Sequence, residues 1–74
     1  MPDQRMPRDV EIRGDTIRLG QLLKLSGIAD SGGEARALVE AGEVTVNGEP
    51  ERRRGRQLHP GDVVAVGEES VRIV

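Results

Sequence analysis

Residues 31–48 read Ser31-Gly32-Gly33-Glu34-Ala35-Arg36-Ala37-Leu38-Val39-Glu40-Ala41-Gly42-Glu43-Val44-Thr45-Val46-Asn47-Gly48. A helix and a hairpin follow from this stretch. Ser31 and Glu34 have the spacing of a capping box. The serine oxygen accepts an orphan N–H of the first turn, and the glutamate reaches back to the serine N–H. Ala35, Leu38 and Val39 recur at helical spacing and form one apolar face. Gly42 ends the helix, because glycine enters the left-handed region at little cost. The period then changes to two. Val44-Thr45-Val46 alternates, and Asn47-Gly48 is a strong hairpin signal, since both turn positions need positive φ.

Toward the N-terminus, Leu19, Leu22 and Leu23 recur at i, i+3 and i+4. They predict a helix over residues 19–26, stopped by Gly27, with Ile28 folding back onto the leucine face. Only about four residues part the two helices, so a compact helix-turn-helix pair is expected. Val10-Glu11-Ile12-Arg13 alternates as a short half-buried strand does, and Gly14-Asp15 breaks it. Toward the C-terminus, Pro50 limits the second hairpin arm. Leu58 is a candidate core residue, and His59-Pro60-Gly61-Asp62 has the composition of a turn. Val63–Val66 and Val71–Val74 are strands, with Gly67-Glu68-Glu69-Ser70 between them. The expected fold is α+β, a two-helix helix-turn-helix pair packed on a small antiparallel β-sheet. Residues 1–8, with Pro2 and Pro7, are expected to be a flexible N-terminal tail, and residues 9–74 one domain.

The chain has 74 residues, including six Leu, four Ile and nine Val but no Phe, Tyr or Trp. That aliphatic content exceeds the roughly 20% below which a charged chain stays disordered. It supports folding around a thin core. With no cysteine and one histidine, disulfides, thiolate metal sites and multi-histidine sites are excluded, so no cofactor is expected. No apolar run approaches the roughly 20 residues that cross a bilayer, and the N-terminus has no secretory pattern. A cytoplasmic location and no membrane partner are expected. His59 is best explained as a turn-flanking surface residue. The carboxylates sit in polar positions of the periodic segments, and no phosphate-cradling or dinucleotide loop is present. These readings point away from an enzyme and from a small-molecule substrate.

The formal net charge is −2, which alone argues against nucleic-acid binding. Its distribution argues the other way. Residues 31–51 carry net −4, with Arg36 against five glutamates, whereas residues 52–60 carry net +4, from Arg52, Arg53, Arg54 and Arg56 with no acid. Four neighbouring arginines repel one another, and arginine's planar fork suits phosphate. Their loss is expected to leave the core nearly untouched, as for other surface changes. Without aromatic side chains there is no stacking platform, so binding would rest on phosphates, shape and 2′-hydroxyls, which favours structured RNA. An acidic protein surface is the competing partner. Gly32-Gly33 has two readings of similar weight: close packing at a helix start, or bare backbone N–H groups open to a phosphate.

Four segments carry a family resemblance: Arg18-Leu19-Gly20-Gln21-Leu22-Leu23-Lys24-Leu25, Ser31-Gly32-Gly33-Glu34-Ala35-Arg36, Gly42-Glu43-Val44-Thr45-Val46-Asn47-Gly48 and Gly61-Asp62-Val63-Val64. Together they resemble the S-four RNA-binding domain, and the likeness runs from Val10 to Val74. The short standalone members are the most similar. The resemblance implies two helices on a small antiparallel sheet, with RNA bound across the helix pair and a neighbouring loop. It implies Arg18, Lys24, Ser31, Gly32, Gly33 and Arg36 as contacts beside Arg52, Arg53, Arg54 and Arg56. It also implies ribosomal or transfer RNA, or the ribosome, as partner. Many members carry a basic residue right after the serine. Here that position is Gly32, which shifts weight to the arginine loop.

Overall fold

The computed structural model describes residues 7–74. Its elements are β1 (Arg8–Val10), β2 (Ile17–Arg18), α1 (Leu19–Leu25), α2 (Gly32–Glu40), β3 (Val44–Val46), β4 (Glu49–Pro50), β5 (Gln57–Leu58), β6 (Val63–Val66) and β7 (Glu69–Ile73). Five strands form one sheet in the order β1-β7-β6-β3-β4, and β2 pairs with β5 separately. The class is α+β, as the periodicities require.

The sheet is mixed, which corrects the antiparallel expectation. β1 runs parallel to β7, with Val10 opposite Ile73. Short hairpins impose antiparallel pairing, but β1 and β7 are joined through both helices and every other strand, so no tight turn dictates their direction. The Val10 carbonyl accepts from Val74 N–H at 3.0 Å. Val10 and Ile73 are both buried. The first strand is also displaced from the expected Val10–Arg13: it spans Arg8–Val10, and Glu11, Ile12 and Arg13 lie beyond its end. Of the expected tail, residues 1–6 lie outside the described residues, while Arg8 belongs to the sheet. Its Nη2 donates to the Ser26 carbonyl at 3.0 Å and ties β1 to the end of α1.

The core is aliphatic throughout. Leu19, Leu22 and Leu23 of α1, Ala35 and Val39 of α2, Leu58 of β5, and Val44, Val46, Val64, Val71 and Ile73 of the large sheet are buried together. The helix ends follow the local sequence. Ser31 Oγ accepts from Glu34 N–H at 3.1 Å. The Glu34 carboxylate accepts from Asp30 N–H rather than from Ser31, so the box closes one residue earlier than its usual form. Gly27 and Gly42 take φ of +83° and +76° just past the helices.

Asn47 and Gly48 have φ of +53° and +88°, the primed turn that their identities demand. Asn47 also joins this hairpin to the turn before β6. Its N–H donates to the Val63 carbonyl at 2.7 Å. Its Nδ2 donates to Asp62 Oδ1 at 3.0 Å, and its Oδ1 accepts from Val63 N–H at 2.9 Å. Asp62 Oδ2 in turn accepts from His59 N–H at 2.8 Å. Burial pushes the Asp62 carboxyl upward. The hydrogen bonds from Asn47 and His59, with the nearby charges of His59 and Arg56, outweigh it and hold the group below its ordinary value. His59 itself is exposed, as expected for a turn residue.

Asn47→Ala removes two side-chain hydrogen bonds and puts an ordinary residue at positive φ. A loss of about 2 kcal/mol is expected. For a chain of this size that lowers Tm by roughly 10 °C. Calorimetry of the two proteins checks it, and an unchanged Tm would contradict the bridging role.

Candidate functional site

Helix α1 begins without a side-chain cap. Arg18 stands at the N-cap with extended backbone, φ −81° and ψ 149°. Arginine has no acceptor to offer the first turn. The orphan donors are met from a distance instead. Leu19 N–H donates to the Arg56 carbonyl and Gly20 N–H to the Arg54 carbonyl, both at 2.9 Å. The β2–β5 pair leads into this junction, with Ile17 opposite Leu58 and Arg18 opposite Gln57. Within the loop, Arg56 N–H donates to the Arg53 carbonyl at 3.1 Å. The arginine segment is therefore attached to α1 through its backbone.

Its side chains are not the uniform +4 surface that counting suggested. Glu51 lies just before the run and is only 6% exposed. Its Oε2 accepts from the backbone N–H and the Nε of Arg53, each at 3.0 Å, and its Oε1 accepts from Arg56 Nη1 at 2.8 Å. The hydrogen bonds from the Arg53 and Arg56 side chains, with the Arg53 N–H, hold the Glu51 carboxyl down at about 2. Two of the four arginines are thus occupied by one buried carboxylate. The expectation that losing all four would leave the core nearly untouched is corrected accordingly. Removing Arg53 and Arg56 would strand Glu51 in a buried position without its partners.

The other two arginines point to different places. Arg52 lies beside the end of α2, where a Cβ on Gly42 would stand 2.9 Å from its Nη2. A guanidinium suits the negative end of a helix. Arg54 lies against Gly20, where a Cβ would stand 2.7 Å from its Cγ. It lines a groove of about 320 Å³ together with Arg18, Gly20, Gln21, Lys24, Gly32, Ala35 and Gly55. Three cations share this lining and no carboxylate does. Among the described residues, none of the three is ion-paired.

Of the residues singled out in the sequence, the structure thus brings Arg18, Lys24, Gly32 and Arg54 together. Ser31 caps α2 beside them. Gly33 meets nothing nearer than Ser31 Oγ, at 3.8 Å from a would-be Cβ. Arg36 is exposed on α2 and donates through Nε to Glu40 at 3.0 Å. Arg52, Arg53 and Arg56 do not line the groove. The sequence reading missed Glu51, Gly20 and Gly55. Gly20 was detectable as a glycine in the first turn of a helix, where it is a poor helix former by roughly 1 kcal/mol relative to alanine. Among the described residues, no cluster of His, Asp and Glu could hold a metal ion, and no helix is long and apolar enough to cross a membrane.

Comparison with known proteins places this geometry in context. The S4 domain model matches residues 10–74. The chain is 46% identical over 61 residues to the "Probable ribosome maturation protein RlbA" of Bacillus subtilis, covering 82% of this chain and 86% of that one. It is 34% identical over 58 residues to the "Putative RNA-binding protein YbcJ" of Escherichia coli, covering 78% and 83%. Among solved structures it resembles the 30S ribosomal protein S4e of Thermoplasma acidophilum, with a TM-score of 0.65 and 27% identity. That match covers 84% of this chain and 33% of the longer one.

Glu51 offers a pH test. Its folded-state value of about 2 lies below the ordinary 4.5, so its stabilising effect is full above that ordinary value and fades as pH falls toward 2. Glu51→Gln should melt lower than the parent at pH 7, and the gap should close on acidification through this window. Thermal denaturation of both proteins from neutral pH down to about 2 checks it. A gap that stays constant with pH would contradict the ion-pair reading.

Proposed function

The chain belongs to the S4 domain family, and on that premise we propose that it is a non-catalytic RNA-binding protein acting on structured RNA, either ribosomal or transfer RNA, in association with the ribosome. The observation that carries this reading is the groove in which Arg18, Lys24 and Arg54 meet without a carboxylate. Phosphates are the ligand such a surface suits, since arginine forks pair with phosphate oxygens and lysine adds a point charge. The helix-turn-helix pair of α1 and α2 is the frame. Residues 9–74 form the binding domain, and its place of action is the cytoplasm. The names of RlbA, a ribosome maturation protein, and YbcJ, an RNA-binding protein, lend the same direction.

Ser31, Gly32, Gly33 and Arg36 belong to this proposed face as the start of α2, and Arg52, Arg53 and Arg56 border it. The chain has no Phe, Tyr or Trp, so it lacks the ring platforms on which bases usually stack. Recognition then rests on backbone geometry and 2′-hydroxyls, which a folded RNA presents in a fixed arrangement. The net charge of −2 works against indiscriminate binding to any polyanion. A protein-interaction role, with the arginine segment docked on an acidic partner, is the reading that replaces this one if RNA binding fails.

Titration of purified ribosomal RNA and bulk transfer RNA at increasing salt tests the reading. With about three phosphates engaged, log affinity should fall against log salt with a slope of about −2 to −3. An acidic protein at equal mass should not compete. Failure to bind either RNA at low salt would overturn the proposal and put the protein-partner reading first.

A further inference from the structure

The four arginines of residues 52–56 have three neighbours among them, Glu51, Gly42 and Gly20, and only Gly20 is a bare backbone in the wall of the groove. Arg53 and Arg56 are held by Glu51. Arg52 reaches Gly42 with the far end of its side chain, the Nη2 atom. Arg54 meets Gly20 with Cγ, the root of its side chain, and its carbonyl is fixed by the Gly20 N–H at 2.9 Å. A Cβ at Gly20 would stand 2.7 Å from that Cγ and 3.3 Å from Cδ. The Arg54 backbone cannot retreat while its carbonyl caps α1. Relief would have to come from rotation about χ1, because staggered rotamers are the alternatives available to the side chain. Such a rotation would move the guanidinium from its present place, and Arg54 now shares the groove lining with Arg18 and Lys24.

Resting on the RNA-binding reading above, we propose that Arg54 is the phosphate-contacting arginine of this run and that Gly20 is its positioning residue. Gly20 acts twice on the same neighbour. Its N–H fixes the Arg54 carbonyl, and its missing side chain leaves the space that the Arg54 stem occupies. Arg54, Arg18 and Lys24 then form one three-cation seat for an RNA phosphodiester. Arg53 and Arg56 hold the loop in shape through Glu51 and contribute little direct phosphate contact. Arg52, outside the groove lining, likewise contributes little.

The experiment titrates purified ribosomal RNA with the full chain and with Arg54→Gln, Arg52→Gln, Arg53→Gln, Gly20→Ala and the double variant Gly20→Ala/Arg54→Gln. Each is assayed at a temperature where its melting curve shows it folded. Arg54→Gln should weaken binding about tenfold and make the salt slope shallower by nearly one, the signature of one lost phosphate contact. Arg52→Gln and Arg53→Gln should leave the slope unchanged. Gly20→Ala should copy Arg54→Gln in affinity and slope. The double variant should bind no worse than Arg54→Gln, since Gly20 acts only through Arg54. A merely structural Gly20 would instead add its loss to that of Arg54→Gln and leave the slope alone, which overturns the positioning role. Should Gly20→Ala fail to fold, the arginine variants still decide the contact: equal losses from Arg52, Arg53 and Arg54 overturn it. A parent chain that binds while Arg54→Gln binds equally well sinks this assignment and leaves the RNA reading standing. A parent chain that binds no RNA sinks both.

Discussion

The carbonyl oxygens of Arg54 and Arg56 accept the N–H groups of Gly20 and Leu19, and this exchange organises the functional half of the molecule. A helix start leaves its first donors unmatched, and they are usually met by a nearby serine, threonine or carboxylate side chain. Here the residue at that position is Arg18, which cannot accept. The acceptors come from a segment more than thirty residues further along the chain. The helix cannot start well without the loop, and the loop cannot hold its shape without the helix. Leu19 and Leu58, on either side of this junction, are both fully buried. Apolar packing therefore backs the polar exchange on its inner side, while Gly20 and Arg54 face the groove.

From that constraint follows a division of labour among charges. Glu51 is buried and pairs with both Arg53 and Arg56, which leaves the three with one net positive charge, so part of the arginine run serves the loop's own conformation. Such a pair is a weak source of net stability but a strong constraint on geometry, because leaving either member unpaired is costly. Arg54 is left facing the groove with Arg18 and Lys24. The helix pair contributes a wall and Lys24, and Arg18 stands at the N-cap of α1. A small domain with net charge −2 can in this way concentrate positive potential on one concave surface while the rest of its exterior stays acidic.

The parts of the fold that were legible in the sequence are those with local causes. The Ser31 cap, the glycine stops at Gly27 and Gly42, and the Asn47-Gly48 turn each depend on a few neighbouring residues, and each formed. The alternating segment Val44–Val46 and the apolar run Val63–Val66 became strands at those bounds. The parallel β1–β7 pair and the β2–β5 pair were not legible. They join residues far apart in sequence, and the two-residue strands β2 and β5 carry too little alternation to announce themselves. The site was legible in part for a similar reason. Arg18, Lys24, Gly32 and Arg54 were candidates and share the groove. Drawing the charge boundary between Glu51 and Arg52 separated a carboxylate from the arginines it holds, because nothing in a linear count records that a side chain folds forward and is buried.

The dependence of loop on helix is tested most directly by amide hydrogen exchange of the free protein, read residue by residue. First-turn amides of an ordinary helix exchange readily because they have no intrahelical acceptor. If the Arg54 and Arg56 carbonyls hold them, the Leu19 and Gly20 amides should be protected to the level of core amides such as those of Val64 and Val71, opening only in global unfolding. Fast exchange at Leu19 and Gly20 beside a protected core would show that the arginine segment moves independently of α1, and would contradict the account.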